Sequence, residues 1–173
     1  MISKTMQDAI NAQITREYYS SYLYLSMAAY FESESLTGFA KWMRVQVQEE
    51  NAHALIFFNY ICDRDGKVEL GAIEKPPAAF TSALDVFEKT YEHEQKVTAW
   101  INDLADLAVS EKDHASRRLL DWFVDEQVEE EANDTTIIAA LKRIGNDGNA
   151  LLTLDKELGA RVFALPAPLA GRA

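Results

Sequence analysis

Glu50 and His53 stand three residues apart, a spacing that on a helix stacks two side chains one turn from each other. Gln127 and Glu130 repeat that spacing later in the chain, and Glu17 and Glu94 offer single carboxylates. If all six reach one place, they form a mixed oxygen and imidazole donor set large enough for two divalent cations with carboxylates bridging them. Such donors suit iron, although donor softness does not by itself separate iron from manganese or zinc.

These residues converge only if four helices bring them to one level. A 3–4 periodicity runs through four long segments. The first stripe reads Ile10, Ile14, Glu17, Ser21, Tyr24, Ala28, Phe31, and the second Phe39, Met43, Gln46, Glu50, His53, Phe57, Tyr60. The third reads Leu84, Phe87, Tyr91, Glu94, Thr98, Ile101, Ala105, and the fourth Leu120, Phe123, Gln127, Glu130, Asp134, Ile137, Leu141. Each stripe is apolar toward its ends and carries ionisable or amide groups in its middle. In helices of similar length and alternating direction, those middles meet. Burying unpaired carboxylates costs several kcal/mol each, and mutual repulsion adds to it. No Lys or Arg stands on a stripe to neutralise them. One such Glu could be a misjudged helix face; four at one level with a histidine point to bound cations.

The boundaries follow from capping and breaking residues. Ser3 is an N-cap for a first helix running to about Glu34, and a second follows the Thr37-Gly38 break and ends before Asp65-Gly66. Ser82 with Asp85 starts a third helix that reaches about Val109, and Ser110 with Asp113 repeats the signal for a fourth ending near Gly145. A short amphipathic fifth helix covers about Asn149 to Leu158. Helices one and two, and three and four, are joined by few residues and form antiparallel hairpins. Residues 66 to 81, with Gly71 and Pro76-Pro77, are long enough to cross the bundle from end to end. The expected fold is therefore all-α: a ferritin-like four-helix bundle with a long crossover between helices 2 and 3 and a short fifth helix. Residues 1–160 form the domain, and residues 161–173 are expected to be a loose tail.

Composition narrows the function classes. With 173 residues, 48% of them hydrophobic, the chain can bury one sizeable core, and 7 Gly with 4 Pro fit long uninterrupted elements. A net charge of −11 argues against nucleic acid and suits a protein that attracts cations, though solubility alone would also explain it. Cys62 is the only cysteine, which excludes an internal disulfide; in its apolar run it reads as a small core residue. The start of the chain does not read as a signal peptide, and no apolar run approaches the roughly 18 residues of a membrane span. A cytoplasmic protein without a membrane partner is expected.

In these residues the chain resembles the ferritins, specifically the prokaryotic non-haem branch, over about residues 3 to 160. The ferritin-like di-metal carboxylate proteins are the known example of this ligand pattern. The resemblance rests on Arg16-Glu17-Tyr18, Glu49-Glu50-Asn51-Ala52-His53, Tyr91-Glu92-His93-Glu94 and Glu126-Gln127-Val128-Glu129-Glu130, in this order and at this spacing. It implies a first iron site at Glu17, Glu50 and His53, with Glu50 bridging to a second that Glu94 and Glu130 complete. It also implies that Gln127 orients the oxygen species beside the pair and that Tyr24 donates an electron, or serves as a core phenol bonded to a ligand. A third iron site would draw on Glu49, Glu126, Glu129 and Glu130; a solvated acidic face explains the first three almost as well. For Trp122, core packing is preferred over electron transfer.

Three departures refine the resemblance. Bacterioferritins and many di-iron oxygenases have a second Glu-x-x-His pair where this chain has Gln127-x-x-Glu130, and Asn51 occupies the place of a haem-ligating methionine, so no haem is expected. Arg117 and Leu120 replace the acids that line the three-fold channel of animal ferritins. His93 and His114 fall off the ligand stripes and read as surface or structural. The resemblance further implies a ferroxidase that oxidises Fe²⁺ with O₂ or peroxide and deposits ferric oxide inside a hollow shell of 24 subunits built from dimers. Two rivals are a di-metal oxidase acting on an organic substrate and a metal-free structural bundle.

Overall fold

A computed structural model describes residues 1–171. Five α-helices follow one another: α1 (Lys4–Ser33), α2 (Thr37–Asp63), α3 (Ala83–Ser110), α4 (His114–Ile144) and α5 (Gly148–Leu158), with a 3-10 turn at Ala167–Leu169. The expected all-α bundle is the observed one: α1 packs along α2, α3 along α4, and α1 beside α3. No helix is long and apolar enough to cross a membrane among the described residues.

The caps explain most boundaries. Ser3 accepts the Met6 N–H and Ser82 the Asp85 N–H, as their sequence positions predict. Helix α4 starts later than expected because Asp113, not Ser110, is its N-cap and accepts the Ser116 N–H; Ser110 ends α3. Thr37-Gly38 is not a break but the first turn of α2. Gly38 is required there because α5 docks on it: a Cβ at that position would lie 1.7 Å from the Asp155 carbonyl oxygen. The Asp155 carboxylate in turn accepts the Phe39 N–H at 2.9 Å and caps α2 from another helix, where Leu36 supplies no side-chain cap.

The crossover is laid along α1 by a ladder of short polar side chains. Asn11 donates to the Lys67 carbonyl and accepts the Glu69 N–H, Thr15 accepts the Gly71 N–H, and Ser26 donates to the Pro77 carbonyl. Backbone that lacks secondary structure thereby gains side-chain partners at Lys67, Glu69, Gly71 and Pro77.

Two apolar cores fill the ends of the bundle. One gathers Met6, Ile10, Ile14, Phe57, Ile101, Leu120 and Phe123; the other gathers Met27, Phe31, Phe39, Met43, Phe87 and Leu141. The polar middles of the four stripes lie between them. The inner face of α3 is rotated from its expected stripe, with Val86, Thr90, His93, Val97 and Leu104 buried while Leu84, Tyr91, Thr98 and Ala105 are half-buried. Cys62 is exposed rather than in the core, because the last turn of α2 turns Ile61 inward instead. The segment after residue 160 is not loose as far as Leu169: Phe163 and Leu169 pack on the first core, and Arg161 lies over the Trp42 ring at 4.5 Å.

Gly38→Ala should destabilise the protein by about 3 kcal/mol, combining overpacking with loss of the Asp155 cap. Thermal denaturation checks this, and an unchanged melting temperature would contradict the docking of α5 on α2.

Candidate metal centre

Between the two cores, all six predicted ligands are buried: Glu17, Glu50, His53, Glu94, Gln127 and Glu130. Glu17 comes from α1, Glu50 and His53 from one turn of α2, Glu94 from α3, and Gln127 with Glu130 from one turn of α4. Three of them already converge, since one ligand atom each of Glu17, Glu50 and His53 lies within 4.8 Å of the others. Glu17 and Glu50 are close enough for one proton to bridge them, which would lower the Glu17 pKa and raise that of Glu50. His53 Nδ1 stands 3.5 Å from Glu50 Oε2, while its Nε2 is buried without a hydrogen-bond partner among the described residues. Trp122 and Phe123 hold the imidazole edgewise, both ring centroids at 5.7 Å, so Trp122 has the packing role expected of it.

The remaining donors are held at the same level by neutral groups. Gln127 Nε2 donates to Glu94 Oε2 at 3.0 Å, and the Tyr24 hydroxyl donates to Glu94 Oε1. Gln46 Nε2 donates to Glu130 Oε2 at 2.9 Å, and Gln13 Nε2 to Glu17 Oε1 at 2.8 Å. Glu94 and Glu130 therefore face the centre without closing on a common point with Glu50.

Burial dominates the electrostatics. It raises the Glu17 pKa to about 7 against opposing hydrogen bonds from Gln13 and Glu50. Burial, with repulsion from Glu130, takes Glu94 to about 8, and burial with Glu94 and Glu17 drives Glu50 well above the carboxylate range. Burial lowers His53 to about 4, so its ring is neutral near pH 7 and free to ligate. Burial with the Glu94, Glu50 and Asp134 charges pushes Tyr24 well above its ordinary value.

The three other acids lie near Glu130 but have different partners. Glu126 lies 3.8 Å from His53 Nε2, Glu49 is held by Arg161 at 2.7 Å, and Glu129 is exposed. Burial, with repulsion from Glu130 and then from the neighbouring acids, raises Glu49 and Glu126 to about 7 each, partly offset by Arg161.

Sequence reasoning missed Arg161, which reaches Gln46 Oε1 and Glu49 Oε2 from beyond the expected domain end. No periodic signal marks it, since it follows α5 in irregular chain. The amide Gln13 was missed because it lies one residue off the first stripe. His93 is structural, with Nε2 2.7 Å from the Ser20 hydroxyl and its ring between Tyr19 and Tyr24; His114 is exposed.

Comparison with known proteins identifies the family and the fold. The ferritin family model, described as a ferritin-like domain, matches residues 7–144. A bacterial non-heme ferritin of Staphylococcus aureus is 43% identical over 163 residues, 94% of this chain and 98% of that protein. Another, from Bacteroides fragilis, is 45% identical over 161 residues, 93% of this chain and all of that protein. Among solved structures, an open pore ferritin of the hyperthermophilic archaeon Archaeoglobus fulgidus superposes with a TM-score of 0.93 at 51% identity, covering 94% of this chain and 100% of that one.

The buried carboxyls make metal-free stability fall as pH rises. Between their ordinary value of 4.5 and folded values of about 7 for Glu17 and about 8 for Glu94, the folded chain holds more protons than the unfolded one. Chelated protein should therefore melt at a lower temperature at about pH 8 than at about pH 5.5, and a divalent cation should weaken or reverse that trend by replacing the protons. A metal-free melting temperature that rises across this window would contradict the buried-acid arrangement.

Proposed function

The chain belongs to the ferritin family, and from that premise we propose that it stores iron, oxidising Fe²⁺ at the six-donor centre before depositing it as ferric oxide. The observation that carries this reading is the convergence of Glu17, Glu50 and a neutral His53 in a layer that holds more buried acids than hydrogen bonds can stabilise as anions. Two Fe²⁺ are the substrates. Glu17, Glu50 and His53 take the first, Glu50 bridges, and Glu94 with Glu130 takes the second. Their arrival displaces the proton shared by Glu17 and Glu50, so each carboxylate gains the cation it lacks.

Each Fe²⁺ gives one electron to O₂ or peroxide. Gln127, held against Glu94 and Thr98, places an amide beside the second position and orients the oxidant. Tyr24 bonds Glu94 directly, which suits a phenol that donates an electron while its proton passes to the carboxylate. Glu49, Glu126, Glu129 and Glu130 supply the third iron site, on which Arg161 must yield Glu49. The carboxylate-rich ligand set is hard and anionic and favours the ferric product, with iron as cargo and haem absent.

Mineral needs an enclosed volume, which a single bundle lacks. A homo-oligomeric shell of 24 chains built from dimers supplies it. Tyr22 and Leu25 on α1 and Leu55 on α2 are large, apolar and exposed, as a dimer face requires. The shell is assigned to the cytoplasm, where the exposed Cys62 thiol stays reduced.

Aerobic addition of Fe²⁺ to metal-free protein, followed by size analysis, should give large particles that carry iron far beyond the ligand count. Iron oxidised without accumulating would favour an oxidase with another substrate and reject storage. Glu50→Ala combined with His53→Ala should slow rapid oxidation at least as much as the roughly 10–100-fold loss that follows removal of outer partners. Undiminished rates in that variant would reject the assigned site.

A further inference from the structure

Asp134 belongs to the inward face of α4, one turn beyond Glu130 toward α5, and is fully buried at 0% exposure. Neither carboxylate oxygen has a hydrogen-bond partner among the described residues. Its neighbours on α4, Ile137 and Ile138, belong to the second apolar core, which a Leu at this position would extend. A buried acid with both oxygens unpartnered costs several kcal/mol, so something outside the chain has to balance it.

The groups around Asp134 are mostly of its own sign. Glu94 and Glu130 repel it most, Glu131 adds to that, and the Tyr24 phenol feels its field. Arg161 attracts it, but that guanidinium donates to Gln46 and Glu49 instead. Burial and the two nearest carboxylates push its pKa up to about 9, yet a protonated acid here would still leave its oxygens unbonded.

We propose that Asp134 ligates a further hard divalent cation inside the bundle, on the α5 side of the six-donor centre. Glu94 or Glu130 supplies the second protein oxygen and water completes the shell. A ligand set of two carboxylates and water suits hard or borderline cations such as Mn²⁺, Fe²⁺ or Zn²⁺. The position shares at most Glu130 with the third iron site, whose other acids are placed differently: Glu126 lies 3.8 Å from His53 Nε2 and Glu49 is paired with Arg161. It rests on cation binding alone and needs no oxidation step.

The test is calorimetric titration of metal-free, assembled protein with Zn²⁺, which binds without redox chemistry, together with melting curves. Asp134→Asn keeps the shape and removes the charge; Asp134→Leu fills the site with an apolar group. Both variants should bind about one Zn²⁺ fewer per chain than the parent and gain less melting temperature from Zn²⁺. Metal-free Asp134→Leu should melt above the metal-free parent. If Asp134→Leu fails to assemble, the Asp134→Asn count decides. The same loss should appear when Asp134→Asn is added to the Glu50→Ala and His53→Ala variant, which tests the position apart from the oxidation centre. Zn²⁺ counts and Zn²⁺-dependent melting shifts equal to the parent's in both single variants would overturn the inference, leaving the oxidation reading to stand or fall on its own variant.

Discussion

Like charges buried at one level of a helical bundle are the constraint from which the rest of this structure follows. Glu17, Glu50, Glu94 and Glu130 lie within a layer that excludes water, and ionising them together without a counter-charge is prohibitive. The metal-free chain meets this by protonation and by neutral amide or phenol donors. A cation meets it better, because it replaces protons on several carboxylates at once. Metal affinity is thus the reverse side of a stability deficit deliberately placed between two apolar cores.

The two cores make that deficit tolerable. Tightly packed aromatic groups, such as Phe57 stacked on Phe123 at 4.1 Å and Phe31 on Phe39 at 5.0 Å, fix the helices on either side of the polar layer. The crossover adds no apolar core of its own but is tied along α1 by Asn11, Thr15 and Ser26. The ligands therefore sit on rigid helices whose register is set elsewhere, and the layer can change its protonation or cation content without deciding the fold.

Much of this was legible because helical periodicity and metal ligation use the same spacing. A Glu and a His three residues apart on a stripe are recognisable as co-directed side chains, and Ser3 and Ser82 mark helix starts by chemistry local to the sequence. What was not legible depended on contacts between distant segments. Gly38 looked like a breaker because nothing local shows that α5 presses on it. The rotation of α3 follows from its neighbours α1 and α4, and the burial of Ile61 rather than Cys62 from where the last turn of α2 lies on the core. Arg161 could not be read at all, because an arginine in irregular chain carries no sign of which helix it crosses. The stripes did contain Asp134, but only the structure shows that no group among the described residues satisfies it.

The choice of partners around the acids separates two kinds of site. Gln13, Gln46 and Gln127 are neutral and donate through amide hydrogens, so they hold Glu17, Glu130 and Glu94 in place without competing electrostatically with an arriving cation. A lysine in any of those positions would orient the carboxylate equally well, yet would repel the cation and lower its affinity by Coulomb work that burial amplifies. Glu49 is treated differently: Arg161 donates to it at 2.7 Å, and a cation binding there would have to displace that guanidinium. On the proposed function, the layer around Glu50 would fill first. On that same reading, a cation at Glu49 would also have to overcome an existing ion pair, so the order of filling would follow from which acids meet an amide and which meet a charge.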